Sequence, residues 1–359
     1  MKKTLIALAV LAASTASMAQ VTLYGVADVA VGAVNNVPSI KSDWNMKAND
    51  AWGQNDTNSR WGIKVVEDLG GGMKATAQFE QNINYETGAT GVADARYAYL
   101  ALDTGVGRFK AGRTLSPSFF GVATWELTGA ANFSAVANQF GFAGAGSRNS
   151  REFSYTMAMS GFGVSLGYVT ELDGIDNTTD FYKALAASQA ASGNAATAAG
   201  LIAAGKAAAA GSKFDMNATY SAGPLAVGLS YWKNDKVAAG ESTDGNYALG
   251  ASYNFGSFIV AGSFQDPAGT SQGWTLGGSV PMGPWKFTVD VAQDTGFDDT
   301  DYLLYAGYSL SKRTTAYANY RRDGKSNKNG VKTPLDPSLV GMKNVVDADI
   351  YGIGIRHNF

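Results

Sequence analysis

Positively charged side chains recur at alternate positions in short segments of this chain. Arg60 and Lys64 alternate with Trp61 and Ile63, and Lys74 opens a further segment with the same pattern. Because successive side chains of a β-strand point to opposite faces, each segment predicts one polar, cationic face and one apolar face. Positively charged side chains on a water-facing surface attract or repel ions by their charge, and this chemistry makes no covalent bonds.

The same parity assigns Arg96 and Arg108 to the polar faces. Two arginines follow the long connection 115–148, and that connection contains a single acid. The candidates for a charged, water-facing wall are Arg60, Lys64, Lys74, Arg96, Arg108, Glu126, Arg148 and Arg151.

Arg96 is placed on the polar face because it alternates with Tyr97 and Tyr99, which the parity puts on the apolar face. Several arginines facing one or two carboxylates hold a positive potential, since a guanidinium group keeps its proton. The sequence therefore predicts weak selectivity for anions, which Asp28 and Glu80 on the polar faces would reduce.

Residues for bond-making chemistry are scarce. The chain has no cysteine and one histidine, His357, which excludes thiol chemistry and nearly excludes histidine-dependent catalysis and metal sites. Gly161, Gly163 and Gly167 miss the dinucleotide-binding spacing and lie in a predicted hairpin. We expect no enzyme activity, no cofactor and no bound metal.

The N-terminus has the parts of a secretory signal peptide. Lys2 and Lys3 precede an apolar stretch over 4–13, and the Ser-Met-Ala sequence at 17–19 has the shape of a cleavage site. This predicts a signal peptide over residues 1–19 and one mature domain over 20–359. Without the two lysines, the 28 basic residues fall to 26 against 30 acids, so a nucleic-acid partner is not expected.

The mature domain reads as short alternating segments separated by turns. Charged residues make up only 16% of the chain, which also has 17 Tyr and 17 Phe, yet no apolar run is long enough for a membrane helix. We predict 16 strands, the first at 21–34, joined by seven tight turns and eight long connections. Short turns on one side and long loops on the other are typical of outer-membrane barrels. The predicted fold is all-β, a 16-stranded antiparallel transmembrane β-barrel, wide enough to leave an aqueous channel.

The last predicted strand, 349–359, alternates throughout. One face carries Tyr351, Ile353, Ile355, His357 and Phe359, and the chain stops at that phenylalanine. Five short stretches of the chain carry a family resemblance: 21–28, 59–64, 67–72, 112–113 and 354–359. In this order and spacing they resemble the Gram-negative general porin family, particularly the porins of β-proteobacteria, from the signal peptide to the terminus.

The resemblance implies a passive diffusion channel for small hydrophilic solutes and ions across the outer membrane. It implies a homotrimer, in contact with outer-membrane lipid and lipopolysaccharide, whose third long loop, 115–148, folds inward and narrows each pore. It also implies that Arg60, Arg96 and either Arg148 or Arg151 form a wall cluster opposite that loop. The barrel-assembly machinery would read the terminal strand.

The lone acid Glu126 departs from many members of that family, which place several acids on this loop, so a strong transverse field is not expected. Three alternatives stay open. They are a channel specific for one solute class such as organic anions, an adhesin or receptor barrel that binds through its long loops, and a barrel enzyme. The connection 172–212 is rich in alanine and is expected to be an exposed, partly helical loop, to which the resemblance assigns no role.

Overall fold

The computed structural model describes residues 19–36, 44–47, 53–89, 95–141, 147–170, 212–235, 244–267, 271–296, 298–324 and 347–359. The predicted signal peptide, up to residue 18, and the Ala-rich connection, over 171–211, lie outside the described residues. The predictions made for those two segments therefore remain predictions.

Long antiparallel strands make up most of the described chain. The strands are β1 (Gln20–Asn35), β2 (Asn45–Lys47), β3 (Arg60–Gly70), β4 (Met73–Asn82), β5 (Ala95–Thr104), β6 (Gly107–Leu115), β7 (Arg148–Met159), β8 (Phe162–Val169), β9 (Lys213–Ala222), β10 (Leu225–Asn234), β11 (Asn246–Asn254), β12 (Ile259–Asp266), β13 (Gly273–Met282), β14 (Trp285–Asp294), β15 (Asp299–Ser309), β16 (Thr314–Asp323) and β17 (Ala348–Asn358). Two short helices, α1 (Pro117–Ala123) and α2 (Ala135–Phe140), lie between β6 and β7.

The sheet closes on itself through β1. On one edge β1 pairs with β17, from Val26 opposite Asn358 to Asn35 opposite Asp349. On the other edge its first half pairs with β3. Among the described residues every long strand therefore has a paired neighbour on each side, which is required in a bilayer because lipid offers no hydrogen bonds. The predicted closed barrel of 16 long strands is confirmed, and the predicted first and last strands, 21–34 and 349–359, each end within one residue of the observed β1 and β17.

The short strand β2 is an addition that the sequence did not predict. It pairs with β1 at Ala30–Gly32, beyond the point where β3 begins, and so extends the wall there. Three residues inside a long connection are too few to show an alternating pattern, which is why β2 was missed.

The outer face of the barrel is apolar and exposed. Phe79, Leu100 and Ile353 are about three-fifths exposed, at 61%, 61% and 58%, whereas residues of opposite parity such as Glu80 and Ala101 are buried. This alternation is the one expected when one face meets hydrocarbon and the other meets the channel. No helix in the described part of the chain is long and apolar enough to cross a membrane.

One face assignment on β5 was wrong. The pairing of β4 with β5 jumps from Glu80 opposite Tyr97 to Gln81 opposite Ala95, so Arg96 is an extra residue in a bulge. Tyr97 and Tyr99 therefore lie on the channel side, whereas Leu100 points outward. The bulge brings Arg96 to the channel side together with Tyr97, because a bulge breaks the strict alternation on which the prediction rested.

The segment 116–141 packs against the channel-side face of the barrel. Ser116 caps α1, and Pro117 occupies the first turn, where its missing N–H costs nothing. Helix α1 contacts β9, β10 and β11, and α2 contacts β14 and β15. The core of the molecule lies between this segment and the wall, where Val122, Trp125 and Val136 pack on Ala248.

Candidate pore constriction

Three arginines line one cavity at the edge of the segment 116–141. Arg60 on β3, Arg96 on β5 and Arg148 at the start of β7 surround a space of about 290 Å³. The cavity is completed by Thr57, Asn58, Glu80, Tyr97, Leu115, Phe119, Gly129, Ala130, Asn132 and Ser147. The set contains three guanidinium groups and one carboxylate, a net charge of +2, so its electrostatic potential favours anions.

Glu80 ties two of the arginines to the wall. Its Oε1 accepts a hydrogen bond of 2.6 Å from Nε of Arg96 and lies 3.7 Å from Nε of Arg60. Its Oε2 accepts from the Tyr24 hydroxyl at 2.9 Å. Both oxygens are therefore occupied, and the side chain is only 3% exposed. Glu80 orients its neighbours, and its charge offsets one of the three positive charges of the cavity.

The other bonds of the arginines hold them along the cavity wall. Nη1 of Arg60 donates to Thr57 and to the backbone carbonyl of Asn58, both at 2.8 Å. The guanidinium of Arg148 lies 5.8 Å from the ring centre of Tyr97, a cation–π contact. These contacts stabilise a like-charged cluster that would otherwise spread apart.

Glu126 does not face the arginines as a free charge. It is 8% exposed, and its carboxylate accepts four hydrogen bonds from its own loop. The donors are the N–H and hydroxyl of Thr128 at 3.0 and 2.6 Å, the N–H of Ala130 at 2.6 Å and the hydroxyl of Ser134 at 2.8 Å. The sequence analysis placed Glu126 among the channel charges as the one acid of the connection 115–148, whereas the structure places it inside the turn that forms the cavity edge.

A second segment, 53–59, braces that turn from the barrel wall. Asn132 donates its backbone N–H to the carbonyl of Asp56 at 2.8 Å, and its side chain donates to Asn58 at 2.8 Å. The Asp56 carboxylate accepts from Arg356 on β17 at 2.5 Å. Burial raises the pKa of Asp56 above its ordinary value, and the positive charge of Arg356 opposes that shift.

Comparison with known proteins decides the family. A model of the Gram-negative porin family matches residues 4–329. The chain belongs to the Gram-negative porin family. The porin is 31% identical over 343 residues to outer membrane porin protein 32 of Delftia acidovorans, covering 89% of this chain and 88% of the relative. It is 36% identical over 113 residues to the major outer membrane protein P.IB of Neisseria meningitidis, covering 32% of this chain and 34% of the relative.

Solved structures show the same fold. The porin superposes on an anion-selective porin from Comamonas acidovorans with a TM-score of 0.68 at 23% identity, covering 95% of this chain and 100% of that chain. It superposes on OmpT of Vibrio cholerae with a TM-score of 0.60 at 13% identity, covering 95% and 98%. The porin is an outer-membrane β-barrel of a Gram-negative bacterium and a passive channel for small solutes.

Four of the predicted charges lie away from the cavity. Lys64 is four residues along β3 from Arg60, and Lys74 is exposed beside the tight turn after β3, opposite Asp103. Arg108 pairs with Asp103 at 3.2 Å, next to the turn between β5 and β6. Lys64, Lys74 and Arg108 lie on the predicted polar faces but not at the cavity. Alternation determines the face on which a side chain lies and not its position along the barrel axis.

Arg151 is the fourth, and here the structure resolves an alternative that the sequence left open. Its backbone is left-handed, with φ of 54°, and its Nε donates to the carbonyl of Thr170 at 3.3 Å. The pairing of β6 with β7 shifts at this point, so Arg151 does not reach the cavity. Arg148 is the arginine that does.

Several cavity residues were not predicted. Tyr97 and Phe119 supply its aromatic surface, and Asn58 and Asn132 supply amides. Tyr24, which does not line the cavity, donates a hydrogen bond to Glu80. Asn58, Phe119 and Asn132 lie in long connections, which carry no periodic signal. Tyr97 was missed because strict alternation placed it on the outer face.

The terminal strand lies as predicted. Ile353, Ile355 and Phe359 are exposed on the outer face at 58%, 49% and 48%, and His357 contacts Thr314 at 2.9 Å on the same rim. Tyr351 packs beside Tyr320. The backbones of Phe359 and Gly25 exchange hydrogen bonds of 3.0 and 3.1 Å, which join the last residue of the chain to the first strand.

Proposed function

We propose that this porin is a weakly anion-selective channel whose selectivity arises at Arg60, Arg96 and Arg148. The observation that carries the proposal is the composition of one cavity, three guanidinium groups against one carboxylate that is already bonded on both oxygens. An anion entering this space gains electrostatic energy, and a cation loses it. Guanidinium groups keep their charge across the physiological pH range, so the contribution of the three arginines does not change with pH.

The segment 116–141 forms the other side of the constriction in this proposal. Phe119, Gly129, Ala130 and Asn132 border the cavity opposite the arginines. Glu126 is the one acid of this segment, and its carboxylate is hydrogen-bonded within the turn. No acid of the described segment therefore faces the arginines across the cavity. The fold is shared with the anion-selective porin from Comamonas acidovorans, which is consistent with this arrangement.

The assembled form in this proposal is a homotrimer, the general state of the family. Outer-membrane lipid and lipopolysaccharide contact the apolar outer face, and the barrel-assembly machinery recognises the strand that carries Tyr351, Ile353, Ile355, His357 and Phe359. The exposed outer-face residues of β17 support both contacts.

An organic-anion-specific channel is the second candidate. Tyr97 and Phe119 give the cavity apolar surface beside the guanidinium groups, a combination that suits a carboxylate with a hydrocarbon body. Such a channel would bind its solute at the cavity, whereas a general channel would let small solutes pass without saturation.

Planar-bilayer recording of the full mature chain separates these functions. A weakly anion-selective channel gives conductance that rises in proportion to KCl concentration, with chloride more permeant than potassium. Saturation by one organic carboxylate, together with block of the chloride current, supports the second candidate. A preference for potassium, or no conductance from folded protein, would sink both.

A further inference from the structure

Two glycines make a flat patch on the channel side of the wall, behind the segment 116–141. Gly228 on β10 and Gly250 on β11 are direct register partners. Both are buried, whereas Leu229 and Leu249 next to them are exposed on the outer face at 37% and 52%. The patch therefore faces the channel and carries no side chain.

Helix α1 and Trp125, two residues beyond its end, lie directly on this patch. A Cβ added at Gly228 would stand 2.0 Å from the carbonyl oxygen of Gly121. A Cβ added at Gly250 would stand 2.3 Å from the indole ring of Trp125, which is 2% exposed. Neither distance is compatible with a real side chain, so the segment occupies the space that both glycines leave open.

The anchors around the patch allow the segment little sideways adjustment. The N–H of Ser118 donates to Asp215 at 2.7 Å, and Ser230 donates to the carbonyl of Ser118 at 2.6 Å. Lys286 donates to the carbonyl of Leu127 at 2.8 Å. A segment fixed at both ends and pushed from behind moves toward the cavity, since a close-packed interior transmits a displacement.

We propose that Gly228 and Gly250 are positioning residues that set the width of the pore. They touch no permeating ion. They fix how far the edge at Gly129 and Ala130 stands from Arg60, Arg96 and Arg148 on the opposite side of the cavity. The inference rests on the proposed role of 116–141 as the constriction, and it adds that the far wall determines the size of the opening.

Single-channel conductance in KCl, with graded neutral polymers as a size gauge, tests the proposal. Gly250→Ala and Gly228→Ala should each lower conductance roughly two-fold. The largest polymer that enters the pore should be smaller in each variant than in the wild type. Gly278→Ala is the matched control, because a Cβ there meets only the carbonyl of Ile259 at 3.6 Å, and its conductance should equal that of the wild type. Gly250→Ala combined with Trp125→Leu should recover most of the lost conductance, which a merely structural defect would not do.

Unchanged conductance in folded Gly250→Ala and Gly228→Ala, or no recovery in the double variant, would overturn the proposal. If the alanine variants do not assemble, Trp125→Leu alone decides, because it removes the contact from the other side. We expect a higher conductance from that variant, and an unchanged conductance would overturn the proposal. The ratio of chloride to potassium permeability, measured on the same channels, tests the arginine cluster separately. Failure of the proposed role of Gly228 and Gly250 is therefore distinguishable from failure of the proposed selectivity.

Discussion

Nε of Arg96 donates a hydrogen bond of 2.6 Å to Oε1 of Glu80, and through this bond the one carboxylate of the cavity is held by the arginines that surround it. The bond crosses from β5 to β4 at the bulge where Arg96 is the extra residue. It makes Glu80 a support for the cluster, and it leaves the cluster with an excess of positive charge.

Removing an arginine of the cavity should weaken the preference for anions. Arg148→Gln keeps a polar side chain beside Tyr97 but removes one of three positive charges, so we expect the chloride-to-potassium permeability ratio to fall about two-fold. Arg151→Gln is the matched control, because Arg151 donates to Thr170 away from the cavity and should leave the ratio unchanged. Equal effects of the two substitutions would place the selectivity elsewhere.

Neutralising Glu80 should act in the opposite direction. Glu80→Gln keeps the shape of the side chain and its bonding to Tyr24, and it removes the negative charge that partly offsets Arg60 and Arg96. Reversal potentials should report a higher preference for chloride. Because the side chain also orients Arg96, open-channel noise should rise as well. A fall in chloride preference would show that the carboxylate is needed to hold the cluster together.

Glu126→Gln separates structure from charge at the cavity edge. The carboxylate accepts four hydrogen bonds within its own turn, and hydrogen bonds to charged groups contribute about 1.5–3 kcal/mol each. We expect a less stable edge, recorded as more frequent partial closures, with little change in the permeability ratio. A large gain in chloride preference would instead identify Glu126 as a charge that ions sense.

Acidification should increase the preference for anions through Asp56. Burial raises the pKa of this carboxyl, opposed by the positive charges of Arg356, Lys286 and Arg60, so it takes up a proton at higher pH than an exposed aspartate does. Protonation leaves Arg356 without its partner and makes the channel more positive. The permeability ratio for chloride should therefore rise as pH falls. Asp56→Asn should fix this part of the ratio at its acid value, and a wild-type response in that variant would contradict the assignment.

The sequence predicts the barrel well because its signal is local. Alternation placed Arg60 on the channel side from its neighbours alone, and tight turns such as the glycines at 70–72, all with positive φ, marked the strand ends. Arg96 was placed on the correct side for a wrong reason. Strict parity put Tyr97 outside, and only the bulge opposite Glu80 and Gln81 brings both side chains inside.

The rest of the site depends on contacts between residues far apart in the chain. The turn that buries Glu126 and the brace between Asn132 and Asp56 exist only when the segments 53–59 and 116–141 meet inside the barrel. The seat of α1 depends on two glycines about a hundred residues later. No periodic pattern encodes such meetings, so alternation could not predict where the segment 116–141 packs against the wall.

The sharpest test of the arginine cluster as the source of selectivity is the reversal potential across a KCl gradient, measured on the wild type and on the variant with Arg60, Arg96 and Arg148 all replaced by glutamine. We expect a potential of the sign that chloride selectivity produces in the wild type, and loss or reversal of that sign in the triple variant. A wild type that prefers potassium, or a correctly assembled triple variant that keeps the wild-type potential, would contradict the proposed selectivity.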